Sequence, residues 1–261
     1  MLKFDKKIVF TGGSGRFGKV LKDKTLRFNN KIYFPSSKQL NILDIKSIKT
    51  YLKTKKPKYL IHAAGLSRPM IQHEKNISKS IDLNIIGTAN VTKVCSELKI
   101  KLIFFSTSYV YPGEKGNYSE ENPLKPINYY GLSKMGGEAA VQMYKNSLIL
   151  RLAMTEKPFI HKKAFQDFIT NFMFHDEVVD TLFKILDKKG IINVGGKSQS
   201  VYNFAKSKGA KVKKIYAKKI LGKNAKLNVS MNLDKLKRII KWLNFGHTKE
   251  NILNIANNWL K

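Results

Sequence analysis

The chain has 261 residues, 43% hydrophobic, 11% aromatic and 26% charged, which is the composition of a globular protein with enough apolar side chains for a core. That apolar fraction excludes disorder, and no apolar run approaches the roughly 20 residues that a membrane-spanning helix needs. The formal net charge is +31, yet 44 of the 49 basic residues are Lys and only five are Arg, beside 26 Ile, 21 Asn and 12 Ala. Lysines spread over the whole length mark a compositional bias, whereas recognition of phosphate and base edges favours the arginine fork, so no specific nucleic-acid partner is expected.

In chain order, Met1 to Lys7 runs straight into a four-residue apolar strand and then glycines, without the hydrophobic region of a signal peptide, which predicts a cytoplasmic protein. Short, nearly continuous apolar strands are expected over 7–11, 31–34, 59–63, 102–106 and 147–152, as in a sheet covered on both faces. Between them a helix is expected over 80–98, where Ile81, Ile85, Thr88, Ala89, Thr92 and Cys95 recur at helical spacing, and another over 130–144. A lone cysteine excludes a disulfide framework and a cysteine zinc site, and Cys95 reads as inert packing. Beyond Arg151 the rhythm changes. Phe159, Phe165, Phe168, Phe172 and Phe174 partly follow i, i+3, i+4 spacing, which predicts a helix packed on the core. A helix from Asp176, a strand over 191–194, a Gly195-Gly196 turn and amphipathic helices over 233–243 and 249–260 complete the pattern.

Glycines Gly12, Gly15 and Gly18, flanking Arg16 and Phe17, follow the first strand at G-x-x-G-x-x-G spacing and open a helix. Gly12 permits the tight turn, Gly15 lets the backbone approach a pyrophosphate, and Gly18 lets helix and strand pack closely. The fold expected is therefore α/β, a doubly wound parallel sheet (Rossmann) that binds a dinucleotide. No carboxylate follows the second strand to bind a ribose 2′-hydroxyl. Ser36, Ser37 and Lys38, with Arg16, could instead surround a 2′-phosphate, so NADP(H) is favoured and NAD(H) stays open. Asp44 and Ile45 suit contact with the adenine, and Ala63, Ala64 and Gly65 supply small residues where the cofactor crosses the sheet edge. Residues 1–155, with 176–195 returning to them, form this domain. Residues 156–175 and 196–261 form a small, mostly helical substrate-binding part.

Tyr130 and Lys134 lie four residues apart, hence on one helix face. A tyrosine titrating near about 10 is a poor acid or base at neutral pH unless a cation stabilises its phenolate, and Lys134 can do so while gripping the nicotinamide ribose. Ser106 and Thr107 end the fourth strand at the carboxyl edge, where such sheets bind ligands, and Thr107 could orient a carbonyl that Tyr130 protonates. His62, His161 and His175 read as packing or surface residues, and no metal-ligand spacing occurs.

With Ser106-Thr107-Ser108-Tyr109-Val110-Tyr111-Pro112-Gly113, Gly116-Asn117-Tyr118-Ser119-Glu120-Glu121-Asn122-Pro123 and Tyr130-Gly131-Leu132-Ser133-Lys134-Met135-Gly136-Gly137-Glu138, the chain resembles the extended short-chain dehydrogenases/reductases. Within them it is most similar to the dTDP-4-dehydrorhamnose reductase branch. The resemblance implies Thr107, Tyr130 and Lys134 as the catalytic set and Asn84 as the asparagine supporting the lysine. It further implies an acidic pair, Asp176-Glu177, opening the helix after the substrate loop. Ser67, Arg68, Ser108 and Tyr109 are positioned to meet the sugar or its phosphates, Arg68 through a bidentate guanidinium. Ser108 and Tyr111 depart from that branch towards the epimerases, and Ser108, where dehydratases carry an acid, argues against dehydration. Three functions stay open: NADPH-dependent reduction of a nucleotide-linked 4-keto-6-deoxy sugar, NAD-dependent C4 epimerisation, and non-catalytic NADP-dependent regulation. The partner expected is a nucleotide-sugar substrate, with no membrane, and a homodimer is left open.

Overall fold

The computed structural model describes residues 6–26 and 31–245; the helix expected over 249–260 lies outside them. Buried strand β1 (Ile8–Thr11) leads through the glycine turn into α1 (Arg16–Thr25), followed by a short β2 (Ile32–Tyr33). Asp44 starts α2 (Ile45–Lys55) by accepting the Lys46 N–H at 2.8 Å, the usual way a short acidic side chain satisfies a first-turn donor. After β3 (Tyr59–His62) come α3 (Gln72–Lys75), α4 (Ile77–Ile81), a single π-helical stretch over Asp82–Ile86, and α5 (Gly87–Glu97). The helix expected over 80–98 is thus interrupted. In the π turn, Asn84 donates to the Leu66 carbonyl at 2.9 Å and the Ser133 hydroxyl at 2.8 Å, and accepts the Leu66 N–H at 2.7 Å. Such bulges recur at functional sites, and here one ties the loop after β3 to a later helix.

Strand β4 (Lys101–Thr107) ends in a 3-10 turn at Ser108–Val110, and α6 (Tyr129–Gln142) leads to β5 (Ser147–Leu152). Asn128 caps α6 by accepting the Gly131 N–H at 2.8 Å. Short strands β6 (Met154–Thr155), β7 (Lys163–Phe165), β8 (Ile169–Thr170) and β9 (Met173–Phe174) precede α7 (His175–Ile185) and β10 (Gly190–Val194). The described chain closes with β11 (Gln199–Ser200), α8 (Val201–Ser207), β12 (Lys213–Ile215), α9 (Ala217–Leu221) and α10 (Asp234–Phe245).

Six strands form one parallel sheet in the order β2–β1–β3–β4–β5–β10. The chain leaves β1 towards β2 and returns to β3 on its other side, so the loops beyond β1 and β3 diverge and open a crevice at the carboxyl edge. Phe17, Leu21, Val178, Leu182 and Leu236 cover one face, and Ile48, Leu52, Val91, Cys95 and Val141 the other. Burial pushes the Cys95 thiol up, so it stays protonated and packs as a small apolar group. His62 is equally buried, its ring nitrogens 2.8 Å from the Thr11 hydroxyl and 3.2 Å from that of Thr88.

The phenylalanine run forms short strands, not the expected helix. β8 pairs with β11 and β7 with β12, and Phe159, Phe172 and Phe174 each set a ring 5.3–6.4 Å from Phe204 on α8. A residue remote in sequence gathers them, so burial overrides their partial helical spacing.

Candidate active site

The crevice holds a cleft of about 450 Å³. On one side Gly12 adopts φ +89°, where an added Cβ would lie 2.9 Å from the backbone of Ala63 and Ala64, and a Cβ on Gly18 would lie 2.6 Å from the Gly12 carbonyl oxygen. Both positions therefore require glycine for α1 to sit against the ends of β1 and β3. Gly15 precedes α1 without any side-chain cap, and Gly15, Arg16, Phe17 and Gly18 line the cleft. An uncapped helix N-terminus of this kind receives phosphate oxygens, so the cradle fits the pyrophosphate of a dinucleotide. Ala63, Ala64 and Gly65 also line the cleft, as do Ser37, Leu40, Asn41 and Ile42.

On the other side stand Thr107, from the end of β4, and Tyr130 and Lys134, from α6; all three line the cleft. A Cβ on Gly131 would collide with the Tyr109 carbonyl oxygen, so the small residue beside Tyr130 is what lets α6 approach the 3-10 turn. Burial, reinforced by the neighbouring Tyr109, pushes the Tyr130 phenol up to about 12, against opposing influences of Arg68 and the Thr107 hydroxyl. Lys134 is buried with its Nζ 4.0 Å above the Phe104 ring centroid. Burial lowers its pKa to about 7, against the pull of Glu138. Desolvation thus holds Tyr130 protonated at neutral pH and brings the Lys134 pKa down towards neutrality.

Behind this set lies a buried charge network that the sequence analysis missed. Arg151 Nη2 donates to Glu138 Oε2 at 2.8 Å, and Nη1 donates to the Tyr111 hydroxyl at 2.9 Å and the Glu120 carbonyl at 3.1 Å. The Ser106 hydroxyl donates to Glu138, so Ser106 lines the cleft while bonded to the interior. Glu156 and His175 also line the cleft unanticipated. Glu156 lies 3.0 Å from Arg16 and 3.2 Å from Arg68. His175, read from sequence as packing or surface, is buried with its ring 5.7 Å from that of Phe17.

Of the other expected ligand contacts, Ser67, Arg68, Ser108 and Tyr109 line the cleft, whereas Ser36, Lys38, Asp44, Ile45 and Asn84 lie outside its lining. Ser36 closes its own turn on Gln39 Oε1, through its N–H at 3.0 Å and its hydroxyl at 3.2 Å. Lys38 is exposed, Asp44 caps α2, and Asn84 joins the loop after β3 to Ser133 on α6. Glu177 supports the expected acidic start of α7, its carboxylate accepting the Phe174 N–H at 2.6 Å. Among the described residues no cluster of metal-ligating side chains occurs, and no helix is long and apolar enough to cross a membrane.

A glycine cradle and a Thr-Tyr-Lys set facing each other across the switch point of a doubly wound sheet define an extended short-chain dehydrogenase/reductase scaffold. Residues 6–189 match the family model described as the RmlD substrate binding domain, and the chain belongs to that family. It is 34% identical over 119 residues to methionine adenosyltransferase 2 subunit beta of Xenopus laevis, a stretch covering 45% of this chain and 35% of that protein. It is 26% identical over 151 residues to dTDP-4-dehydrorhamnose reductase of Mycolicibacterium smegmatis, covering 57% of this chain and 45% of the relative. These matches span between about a third and a half of the relatives' length. The crystal structure of dTDP-4-dehydrorhamnose reductase from Bacillus anthracis in complex with NADP superposes with a TM-score of 0.79 at 22% identity, covering 91% of this chain and 93% of that one. WbmG from Bordetella bronchiseptica, in complex with NAD and UDP, gives 0.70 at 21% identity, covering 89% and 86%.

Proposed function

We propose that this protein is an oxidoreductase that reduces the keto group of a nucleotide-linked 4-keto-6-deoxy sugar, with NADP(H) preferred to NAD(H). The observation carrying this reading is the convergence of Thr107, Tyr130 and Lys134 on the cleft that the glycine cradle opens. When bound, a nicotinamide dinucleotide supplies the hydride. Tyr130, protonated at neutral pH, holds the proton for the carbonyl oxygen, and the Thr107 hydroxyl orients that oxygen. Lys134 in its charged form stabilises the phenolate left behind, and burial lowers its pKa from the ordinary lysine range. Ser37 and Arg16, with no carboxylate after β2, support NADP(H), and Arg68 supports recognition of the sugar nucleotide's phosphates.

The test is a panel of nucleotide-linked keto sugars assayed for NADPH oxidation. Steady consumption with a 4-keto-6-deoxy sugar is expected. Retained NAD with interconversion of C4 epimers and no net consumption would assign the epimerase chemistry instead. The likeness to methionine adenosyltransferase 2 subunit beta favours a second reading, a regulatory subunit that binds NADP and turns nothing over. It predicts NADP binding with no consumption across the whole panel.

A further inference from the structure

Glu156 sits beyond β6, in neither the glycine cradle nor the Thr-Tyr-Lys set, yet the first residue of α1 and the loop after β3 converge on it. Arg16 Nη1 lies 3.0 Å from Glu156 Oε1, and Arg68 Nη1 donates to Oε1 at 3.2 Å and Oε2 at 3.4 Å. The Glu156 side chain is 13% exposed, whereas those of Arg16 and Arg68 are 48% and 32% exposed. The carboxylate is thus sunk between two guanidiniums that face the opening. All three residues line the cleft, and none belongs to the hydrophobic cores.

Two guanidiniums converging on one carboxylate, Arg16 on Oε1 and Arg68 on both oxygens, each through Nη1, offer the paired cations that a phosphoryl group would take. Here the protein's own carboxylate takes that position and cancels one of the two charges. Ion pairs this exposed add little to folding stability, so their larger effect falls on what the cleft admits. Burial works to raise the Glu156 pKa, but its own backbone N–H, Arg68 and Arg16 together hold it below the ordinary carboxylate range, so the group is anionic at neutral pH.

We infer that Glu156 is a resident anion occupying a diphosphate site formed by Arg16 and Arg68, and that a ligand's diphosphate displaces it on binding. Glu156 is then a specificity-determining residue. It weakens adventitious anions and demands a ligand with further contacts along the cleft. The inference rests on the reading of the cleft as a nucleotide site. The diphosphate can come from the dinucleotide, entering from the Arg16 side, or from the sugar nucleotide, entering from the Arg68 side.

The experiment is equilibrium titration, by calorimetry, of wild type, Glu156→Gln and Glu156→Ala with NADP+, with dTDP and with adenosine, which lacks phosphate. Removing the internal competitor should tighten diphosphate binding about tenfold, equivalent to about 1.4 kcal/mol, and leave adenosine unchanged. Tightening of NADP+ alone assigns the position to the cofactor, and tightening of dTDP alone assigns it to the substrate; either supports the inference. Unchanged or weaker binding of both diphosphates by folded variants, while wild type binds NADP+, overturns it and leaves the oxidoreductase reading intact. Wild type binding neither ligand overturns both. The alanine variant keeps the test decisive should the glutamine variant misfold, and melting temperatures measured alongside show whether each is folded.

Discussion

Replacing Glu138 by Gln perturbs the fold and the active site through one atom change. Glu138 has no solvent exposure and accepts from Arg151 Nη2 at 2.8 Å, from Arg151 Nε at 3.2 Å to each oxygen, and from the Ser106 hydroxyl. The amide keeps the shape but removes the charge and turns an NH₂ towards a guanidinium that has 2% exposure. Breaking a buried pair from one side costs about 3–5 kcal/mol because the remaining charge is uncompensated, against a total stability of about 5–15 kcal/mol for a domain. Urea unfolding followed by circular dichroism should show the midpoint falling with the slope unchanged. A second readout separates this from plain destabilisation. Glu138 raises the Lys134 pKa from one helical turn away, so its loss should move the alkaline decline of NADPH-dependent turnover to lower pH. A stability loss below about 1 kcal/mol, the ordinary value of a single neutral hydrogen bond, together with an unmoved pH profile, would refute the reasoning.

Tyr130→Phe should leave NADP+ affinity nearly intact and reduce turnover by about two to four orders of magnitude in the NADPH assay, the contribution of a positioned general acid; full activity would sink its catalytic role. His62, buried between Thr11 and Thr88, is pushed down to about 3 by burial first and Lys134 second. The unfolded chain takes up a proton below about pH 6.5 and the folded one does not, so stability should fall with pH by up to about 1.4 kcal/mol per unit through this range. His62→Asn should remove that part of the slope in urea titrations at pH 7, 6 and 5, and an identical slope would exclude it. Gly18→Ala places a Cβ 2.6 Å from the Gly12 oxygen, so the loop must shift and NADP+ binding measured by calorimetry should weaken about tenfold or more, given the roughly 1.5–3 kcal/mol carried by a charged hydrogen bond. Arg68→Ala should raise the Michaelis constant for the sugar nucleotide about tenfold, on the same scale; unchanged constants for both the sugar nucleotide and NADPH would return Arg68 to a purely internal ion pair.

Much of the fold is legible because its signals are local. All five expected strands lie within one residue of the observed ends, β2 losing one at each end to leave Ile32–Tyr33, since a strand covered on both faces is an unbroken apolar run. Gly12 and Gly18 are legible for the same reason, as the approach they permit is between neighbours in sequence. The features that escaped depend on distant partners. Asn84 breaks its helix to reach Leu66, 18 residues back, and Ser133, 49 residues on, and nothing in its own window records this. The phenylalanines beyond Arg151 point inward because Phe204 waits for them, so their spacing misleads when read as a helix period.

The same contrast explains why the acidic residues of the site were harder to see than the basic ones, although they carry more information. With 49 basic and 18 acidic side chains, any anionic ligand finds lysines nearby, and position alone does not single out those that matter. A carboxylate in such a chain is scarce, and where it is buried or set in the cleft it holds a specific partner. Glu138 holds Arg151 beneath the Tyr130 helix, Glu156 holds Arg16 and Arg68, Glu177 holds the start of α7, and Asp167 accepts the Ala217 and Lys218 N–H groups at 2.6 and 3.0 Å. The surface charge of the molecule strengthens long-range attraction of any anion alike. Discrimination between anions therefore falls to the few places where a carboxylate has already claimed a cation, and in the cleft that place is Glu156.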